Sequence, residues 1–372
     1  MISHNSNLIS SKRFSYPHRD RLRDISLVWN EGVSKEAKQL LKESVVIDGC
    51  ALGPADYEDW QLDASGLSAA CFSVLPERAD MSRAVTALID CRSAIRNNPK
   101  MQAVYSVEDI LAAHENGKVG VITAAHCVDY THHHEIKTSV RVFGKAGIRV
   151  MALSSPQRSF GADGCFSGTN SGLSQDGPTL IVGIEEAGIT LDLSGVAERS
   201  ALQAMERCKK PPVYSHANPR SLFDHPFNIT DQEALKCAEL GGVVAATAYL
   251  PTLWDGTNRP TADSFVDAVC YWINLLGHEH VALGLDCAGS AAAYPRIAKE
   301  RLEATLKNAP QDMRLAMASL SDDDAAYITK GIESFANLPL IVHKLLERGL
   351  SAEAVKGVLG GNLLRVFRET WR

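Results

Sequence analysis

Three side chains suited to catalysis stand at the ends of short apolar runs. Cys50 follows "VVIDG", His216 follows "PPVYS" and Asp286 ends "HVALGLD". A thiol, an imidazole and a carboxylate can serve as a nucleophile, its general base and the group that orients the base. Because a nearby imidazole lowers the pKa of a thiol, we predict that Cys50, His216 and Asp286 are catalytic. If a metal ion is bound instead, the same three residues are its expected ligands.

Further polar side chains end two other apolar runs. Thr123 and His126 close "KVGVITAAH", and Ser155 follows "IRVMALS". Their hydroxyl and imidazole groups can donate hydrogen bonds to a developing oxyanion, so we predict that they bind substrate. The triplet His132–His134 stands in a polar turn before a helical pattern, where we expect solvated surface histidines rather than a metal site.

The pattern of the chain from residue 45 onward predicts how these side chains come together. Eight short β-rich runs alternate with amphipathic helical stretches, and no GxGxxG motif follows the first run. Such apolar strands are typical of parallel sheets, and eight repeats favour a closed (β/α)8 TIM barrel over an open sheet. The barrel would carry its site at the C-terminal ends of the strands. The predicted strands are "SVVIDG", "AACFSVL", "KVGVITAA", "IRVMALS", "GITLDLS", "PPVYSHA", "GGVVAATAY" and "HVALGLD".

The same pattern predicts one large domain behind an extension. Residues 1–40 are polar and basic and then helical in pattern, which indicates an N-terminal helical extension. Residues 41–372 form a single barrel domain, because no linker rich in Pro, Gly or Ser divides them. Residues 157–178 are rich in glycine and predict a long loop over the barrel mouth. The C-terminal tail predicts two helices separated by Gly360 and Gly361.

Composition excludes several classes of function. The net charge of −6 and the lack of a basic run argue against a nucleic-acid-binding protein. No stretch approaches the roughly 20 apolar residues of a membrane span, and the N-terminal stretch has no apolar core typical of a signal peptide. The nine cysteines contain no CxxC pair and are expected to be buried thiols in a reducing compartment. We therefore predict a cytoplasmic protein that acts on a small molecule without binding a membrane.

Seven segments, taken in order from about residue 45 to the C terminus, resemble the renal or membrane dipeptidases of peptidase family M19. "VVIDGC" is similar to the family's strand that ends in Asp-Gly-His-Asn-Asp, and "PPVYSHANPRSLFDHPFN" to its Pro-Val-x-x-Ser-His segment with a later Arg-Asn pair. The resemblance implies an eight-stranded barrel, usually dimeric, in which two zinc ions hydrolyse dipeptides and related small amides. The other matching segments are "VITAAHCVD", "AGIRVMALSSP", "GITLDLSGV", "VALGLDCAG" and "VLGGNLLRVF".

The resemblance also assigns site residues, and several have lost the expected chemistry. His216 matches a zinc-binding histidine, and Asp286 matches the carboxylate that assists the zinc-bound water and the substrate amine. At the substrate, a histidine falls on Ser155, and the arginine that would grip a carboxylate falls on Phe227, followed by the matching Asn228. These positions imply substrate-binding roles for Ser155, Phe227 and Asn228. Four further zinc-ligand positions fall on Cys50, Leu52, Thr123 and Gly195.

These departures predict a degenerate zinc site. Leucine and glycine side chains cannot coordinate an ion, and threonine cannot bridge two cations as a carboxylate does. We therefore expect a dipeptidase-like enzyme that acts on a small amide, dipeptide or amino-acid conjugate without a cofactor. One alternative is a one-metal hydrolase with a single zinc ion in a rearranged site. Another is a non-catalytic protein that binds a ligand or a partner. The resemblance implies a homodimer in each case.

Overall fold

The structure, a computed structural model, describes residues 18–53, 57, 59–75, 80–126, 135–288 and 329–371. Ten parallel strands alternate with helices, and eight of them close into a barrel. The TIM-barrel prediction is therefore confirmed. The strands are β1 (Ile47–Leu52), β2 (Ala69–Ser73), β3 (Met101–Ala103), β4 (Val119–Ala125), β5 (Ile148–Ala152), β6 (Thr190–Asp192), β7 (Val213–Tyr214), β8 (Val243–Ala246), β9 (Val281–Leu283) and β10 (Cys287–Ala288).

Barrel closure follows the order of the chain. Strands β1, β2, β4, β5, β6, β7, β8 and β9 pair in sequence, and Asp48 on β1 pairs with Leu283 on β9 to close the ring. Each of the eight predicted apolar runs overlaps one of these strands, although β1 extends three residues beyond "SVVIDG". The short strands β3 and β10 were not predicted, because each adds only two or three residues to the edge of a barrel strand.

Helices surround the barrel and begin at residues that favour a helix start. Ser106 before α5 and Thr230 before α9 each form a reciprocal capping box, with Asp109 and Glu233 respectively. The helices are α1 (His18–Trp29), α2 (Lys35–Glu43), α3 (Asp59–Ser65), α4 (Met81–Asn97), α5 (Val107–Glu115), α6 (Ile136–Lys145), α7 (Gly177–Glu186), α8 (Glu198–Met205), α9 (Asp231–Glu239), α10 (Ala262–Leu276), α11 (Leu338–Glu347), α12 (Ala352–Lys356) and α13 (Asn362–Thr370).

Side chains alternate between two buried layers along the strands, as the period of two requires. On β4, Ile122 and Ala124 belong to an inner apolar cluster, whereas Val121 and Ala125 pack in the larger cluster that includes the surrounding helices. The inner cluster continues into α13, which is bonded to the start of β6 through Thr370 and Thr190. The N-terminal end of the barrel is therefore filled, and the opposite end carries the polar groups described below.

The C-terminal tail has the predicted break. A single π-helical turn over Gly357–Gly361 separates α12 from α13, and Gly360 adopts extended rather than helical backbone angles. A Cβ at Gly360 would collide with the backbone of β1, so the close approach of the tail to the barrel requires glycine there.

The N-terminal part of the chain is joined to the C-terminal part. Asn30 donates to the carbonyl oxygen of Ala336 at 2.7 Å, and the indole of Trp29 donates to Glu333 at 3.1 Å. Helix α1 is thus packed on the barrel domain, while the proposed division at residue 40 stays a prediction. Within the described ranges, no helix is both long and apolar enough to cross a membrane.

Candidate functional site

A thiol and two imidazoles meet at the C-terminal end of the barrel. Cys50 lies on β1, His126 directly follows β4 and His216 lies two residues after the end of β7. One donor atom from each residue lies within 4.8 Å of the other two, and the two imidazole ring centres are 5.1 Å apart. Cys50 and His216 are buried, and His126 is half-buried. Hereafter Cys50, His126 and His216 are called the donor cluster.

Two glycines allow the strands to approach closely enough to build this cluster. Gly49 precedes Cys50 on β1, and Gly284 follows β9. A Cβ on either glycine would collide with the carbonyl oxygen of Ser215, the residue before His216. The absence of two side chains therefore lets the β7 end reach across the barrel towards Cys50 and Asp286.

Two buried carboxylates lie beside Cys50. The Cys50 thiol donates to Oδ1 of Asp286 at 3.5 Å, and the backbone N–H of Asp286 donates to the carbonyl oxygen of Cys50 at 2.8 Å. Asp286 adopts a left-handed backbone conformation with φ of 56°, which aspartate tolerates better than most residues. Burial and the nearby charge of Asp286 raise the pKa of Asp48 well above its usual range, despite a 2.6 Å bond from the N–H of Leu285.

A third carboxylate supports His216 from behind. Asp192, at the end of β6, is fully buried and accepts hydrogen bonds from the backbone and hydroxyl groups of Ser194 and Ser215 at 2.6–3.0 Å. The Ser215 hydroxyl also lies 2.7 Å from Nδ1 of His216. Burial disfavours the charged form of Asp192, but the charges of His216 and His126 together with the Ser215 bonds outweigh it and lower its pKa.

An apolar surface forms one side of the same barrel end. The Phe227 ring centre lies 5.2 Å from that of His216 and 6.5 Å from that of Phe166. Gly195 has a φ of +73°, and a Cβ there would lie 3.1 Å from the Phe227 ring. His225 contacts Phe166 edge-on, and burial together with the charge of Arg220 lowers the pKa of His225 to about 4. Phe166, Gly195, His225 and Phe227 are called the apolar wall.

The structure brings together only part of the predicted site. Cys50 lies beside His216 and His126 and is hydrogen-bonded to Asp286, and Phe227 lies against His216. Thr123 instead hydrogen-bonds to the thiol of Cys91 on α4. Ser155 donates to the carbonyl oxygen of Gln157 at 3.2 Å, within the loop that the sequence predicted there. Neither hydroxyl group points into the donor cluster.

The side chain of Asn228 forms hydrogen bonds to the backbone of two loops. Its amide nitrogen donates to the carbonyl oxygens of Phe223 and Thr252, both at 2.8 Å, so it fastens two loops to each other. The triplet His132–His134 lies outside the described residues. Its assignment to solvated surface stays a prediction.

Three residues of the site were not predicted as functional. Asp192 and Ser215 stand at strand ends, which is a usable signal, but serine and a lone aspartate are common there for structural reasons. Phe166 lies in the glycine-rich loop over residues 157–178, far from the other site residues in sequence. Backbone hydrogen bonds between this loop and the segment after β6, from Cys165 to Gly195 and from Ala197 to Asp163, both at 2.9 Å, place the ring next to Phe227.

The donor cluster fits one metal ion of the zinc type. Zinc prefers thiolate and imidazole donors, and in tetrahedral geometry Zn–S of about 2.3 Å and Zn–N of about 2.1 Å place two donors about 3.5 Å apart. The three donor atoms lie within 4.8 Å of one another, so small side-chain shifts bring them to this spacing. Nε2 of His126 is buried and lies 4.0 Å from Oδ2 of Asp192, and no hydrogen bond among the described residues competes with a metal ion for it. The expectation that no cofactor binds therefore gains no support from the site.

Comparison with known proteins gives the ancestry. The sequence model of "Membrane dipeptidase (Peptidase family M19)" matches residues 34–299 and 318–371. A dipeptidase, tcpJ of Claviceps purpurea, is 22% identical over 276 residues, which is 73% of this chain and 55% of that protein. The chain spans about half the length of the curated relatives that it matches.

Solved structures share the fold. An amidohydrolase from Pseudomonas aeruginosa superimposes with a TM-score of 0.73 at 24% identity, covering 90% of this chain and 99% of that one. The probable dipeptidase PvdM from the same species gives a TM-score of 0.68 at 16% identity, covering 96% and 99%. With the family match spanning most of the chain and the barrel in common, this chain belongs to the membrane dipeptidase family, peptidase family M19.

Proposed function

We propose that this chain hydrolyses a small amide or dipeptide-like substrate with a single zinc-type ion held by Cys50, His126 and His216. The observation that carries the proposal is the convergence of one thiol and two imidazoles within 4.8 Å at the end of the barrel where such folds carry their active sites. Membership of a dipeptidase family supports the reaction class. The single-zinc alternative predicted from the sequence is thus preferred over the metal-free enzyme.

Three observations argue that this site holds one ion rather than two. Leu52 ends β1 with a side chain that cannot coordinate an ion, and the Thr123 hydroxyl is bonded to Cys91. At Gly195 the space next to the backbone is filled by the ring of Phe227. Each of these positions falls on a zinc ligand in the resemblance, so the residues present do not fit a second ion.

Roles for the protein groups follow from their positions. A zinc ion in such a site acts as a Lewis acid toward a carbonyl group and toward water. Asp286, whose Oδ1 lies 3.5 Å from the Cys50 sulfur, is placed to accept a proton from the attacking water and to pass it to the leaving amine. Cys50 must lose its own proton to become a ligand, which makes ion binding weaker at low pH.

The apolar wall narrows the class of substrate. Phe227 and Phe166 present rings beside His216, and His225 is neutral above a pH of about 4. The guanidinium of Arg220 donates to the carbonyl oxygens of Pro226 and Asn228 and is therefore occupied in holding this loop. A substrate group that lies against the wall should be apolar and uncharged, such as an aromatic or aliphatic side chain or a capped carboxyl group.

A second candidate is thiol catalysis without a metal ion, with Cys50 as the nucleophile. The hydrogen bond from the Cys50 thiol to Asp286 favours it, because it gives the thiol proton an acceptor within 3.5 Å. The two candidates use the same residues and differ in whether an ion lies between them.

Metal analysis of the full-length protein combined with a Cys50→Ser variant separates the candidates. For the single-ion enzyme we expect about one zinc per chain, and loss of both zinc and dipeptide hydrolysis in Cys50→Ser. Hydrolysis that persists after chelation and disappears only in Cys50→Ser would establish thiol catalysis instead. Cys71→Ser is the matched control, since Cys71 is an equally buried thiol on the neighbouring strand outside the donor cluster.

A further inference from the structure

The hydrogen bonds around Asp192 restrict where the proton of the Ser215 hydroxyl can lie. The Ser215 oxygen is 2.6 Å from Oδ2 of Asp192, 2.7 Å from Nδ1 of His216 and 3.2 Å from the Ser194 oxygen. An ionised carboxylate can only accept hydrogen bonds. At 2.6 Å two oxygens must share a hydrogen, so the Ser215 hydroxyl donates to Asp192.

The proton on the His216 ring follows from this assignment. A serine hydroxyl has one hydrogen, and once Asp192 receives it, the Ser215 oxygen can only accept from Nδ1 of His216. Nδ1 must therefore carry the ring hydrogen of the neutral imidazole. The electron pair of the ring then lies on Nε2, so Nε2 is the nitrogen through which His216 can act as a donor in the cluster.

We propose that Asp192 and Ser215 are positioning residues that hold His216 in the Nδ1–H form and direct its Nε2 electron pair into the donor cluster. The use of that electron pair to bind zinc rests on the proposed function, whereas the protonation state itself does not. The backbone N–H of His216 donates to the Ser194 hydroxyl at 3.1 Å, so the same network also fixes the main chain of the ligand.

Two substitutions act on the network in opposite ways. Ser215→Ala removes the acceptor for Nδ1–H, which releases the ring to take either neutral form. Asp192→Asn replaces the acceptor by a group that can donate to the Ser215 oxygen, so the hydroxyl hydrogen turns towards Nδ1 and the ring hydrogen moves to Nε2. Asp192→Asn keeps the size of the side chain, which protects folding if Ser215→Ala proves unstable.

The test is long-range ¹H–¹⁵N correlation spectroscopy on the metal-free full chain labelled in its histidines, with His216→Gln for assignment. We expect the Nδ1–H pattern in the natural protein, a mixture in Ser215→Ala, the Nε2–H pattern in Asp192→Asn and recovery in Ser215→Thr. Ser200→Ala is the control, because Ser200 is fully buried on α8 and its hydroxyl has no partner among the described residues. An unchanged Nδ1–H pattern in both network variants would overturn the proposal.

A zinc titration of the same samples gives the second readout. Loss of such a supporting bond typically weakens metal affinity by about 10–100-fold, which we expect for Ser215→Ala and Asp192→Asn but not for Ser200→Ala. If the ring hydrogen moves as expected but no variant binds zinc, the proposed function fails and the positioning role stands. If zinc binds with equal affinity in all variants and the ring hydrogen does not move, the positioning role fails and the proposed function stands.

Discussion

The two sides of the barrel mouth are built from equivalent strand ends but by different physical means. The donor cluster of Cys50, His126 and His216 is held by hydrogen bonds, which reach His216 through the fully buried Asp192. The apolar wall is held by contact between rings and by a glycine that leaves room for Phe227. One side brings polar donor atoms together, whereas the other is filled mainly by packed rings.

This difference has a consequence for substitutions. A change in the donor cluster removes a binding group but disturbs few packed atoms, so function should suffer more than stability. A change in the apolar wall disturbs close contacts and should lower the free energy of unfolding. Substitutions on the two sides therefore test whether function or stability is lost.

The largest effect is expected for His126→Ala in the donor cluster. With one of three donors gone, zinc content should fall from about one ion per chain to near zero, and hydrolysis should fall with it. Elemental analysis after gel filtration measures this. His343→Ala, a change of a histidine on α11 outside the site, should keep full zinc content. Full zinc content in His126→Ala would show that His126 is not a ligand.

Protonation of His225, in the apolar wall, should lower the free energy of unfolding in acid. His225 has a pKa of about 4 in the folded protein because it is buried and lies near Arg220, against about 6.5 in an unfolded chain. The unfolded state therefore binds a proton first, and stability is lost as pH falls from about 6.5 to 4, by up to about 3 kcal/mol. His225→Asn, which can still accept from the N–H of Phe227, should flatten this slope in urea unfolding between pH 7 and 4. An equal slope in both proteins would contradict the assignment.

Crowding in the apolar wall can be measured with two glycines of similar backbone angle. Gly195 has a φ of +73° and little space, whereas Gly168 has a φ of +71° and open space around it. Gly168→Ala should cost about 1 kcal/mol for its left-handed backbone, and Gly195→Ala about 2 kcal/mol because Phe227 and Pro156 must also move. Urea unfolding of both variants gives the difference. Equal losses of unfolding free energy in the two variants would mean that Phe227 and Pro156 move aside without cost.

The smallest effect concerns substrate preference at Phe227. Phe227→Arg places a cation beside His216 and should shift the ratio of kcat/KM for a dipeptide over its C-terminal amide by about tenfold toward the free acid. Phe227→Leu is the control, since it keeps the wall apolar and should keep the preference for the amide. A preference for the free acid in the natural protein would refute the predicted substrate class.

Much of the fold could be read from the sequence because it depends on local patterns. Each of the eight apolar runs overlaps a barrel strand, and the break at Gly360 was marked by its glycine pair. The predicted ends of the strands were less accurate. Val46, for example, was predicted to lie in β1, but its N–H donates to the Ser68 hydroxyl and the strand begins at Ile47.

The site was predictable only in part, since side-chain direction is not a property of the strand pattern. Cys50, His216 and Asp286 were expected together, and Cys50 lies beside each of the other two. Thr123 stands three residues before His126 on the same run, yet it faces α4 because neighbouring side chains of a strand alternate between its two faces. The residue types of Asp192 and Ser215 do not by themselves indicate a functional role, which becomes visible only from the distances between their side chains.

By itself, the sequence determined the barrel, the family and the loss of side chains able to bind a second ion at Leu52 and Gly195. These are matters of residue type and order along the chain. Only the tertiary structure decided that His126 joins Cys50 and His216, that Phe227 fills the space beside Gly195, and that Ser215 sets the proton on His216. Each of these depends on distances of 2.6–5.2 Å that join residues of different strand ends and loops, which are brought together by the closing of the barrel.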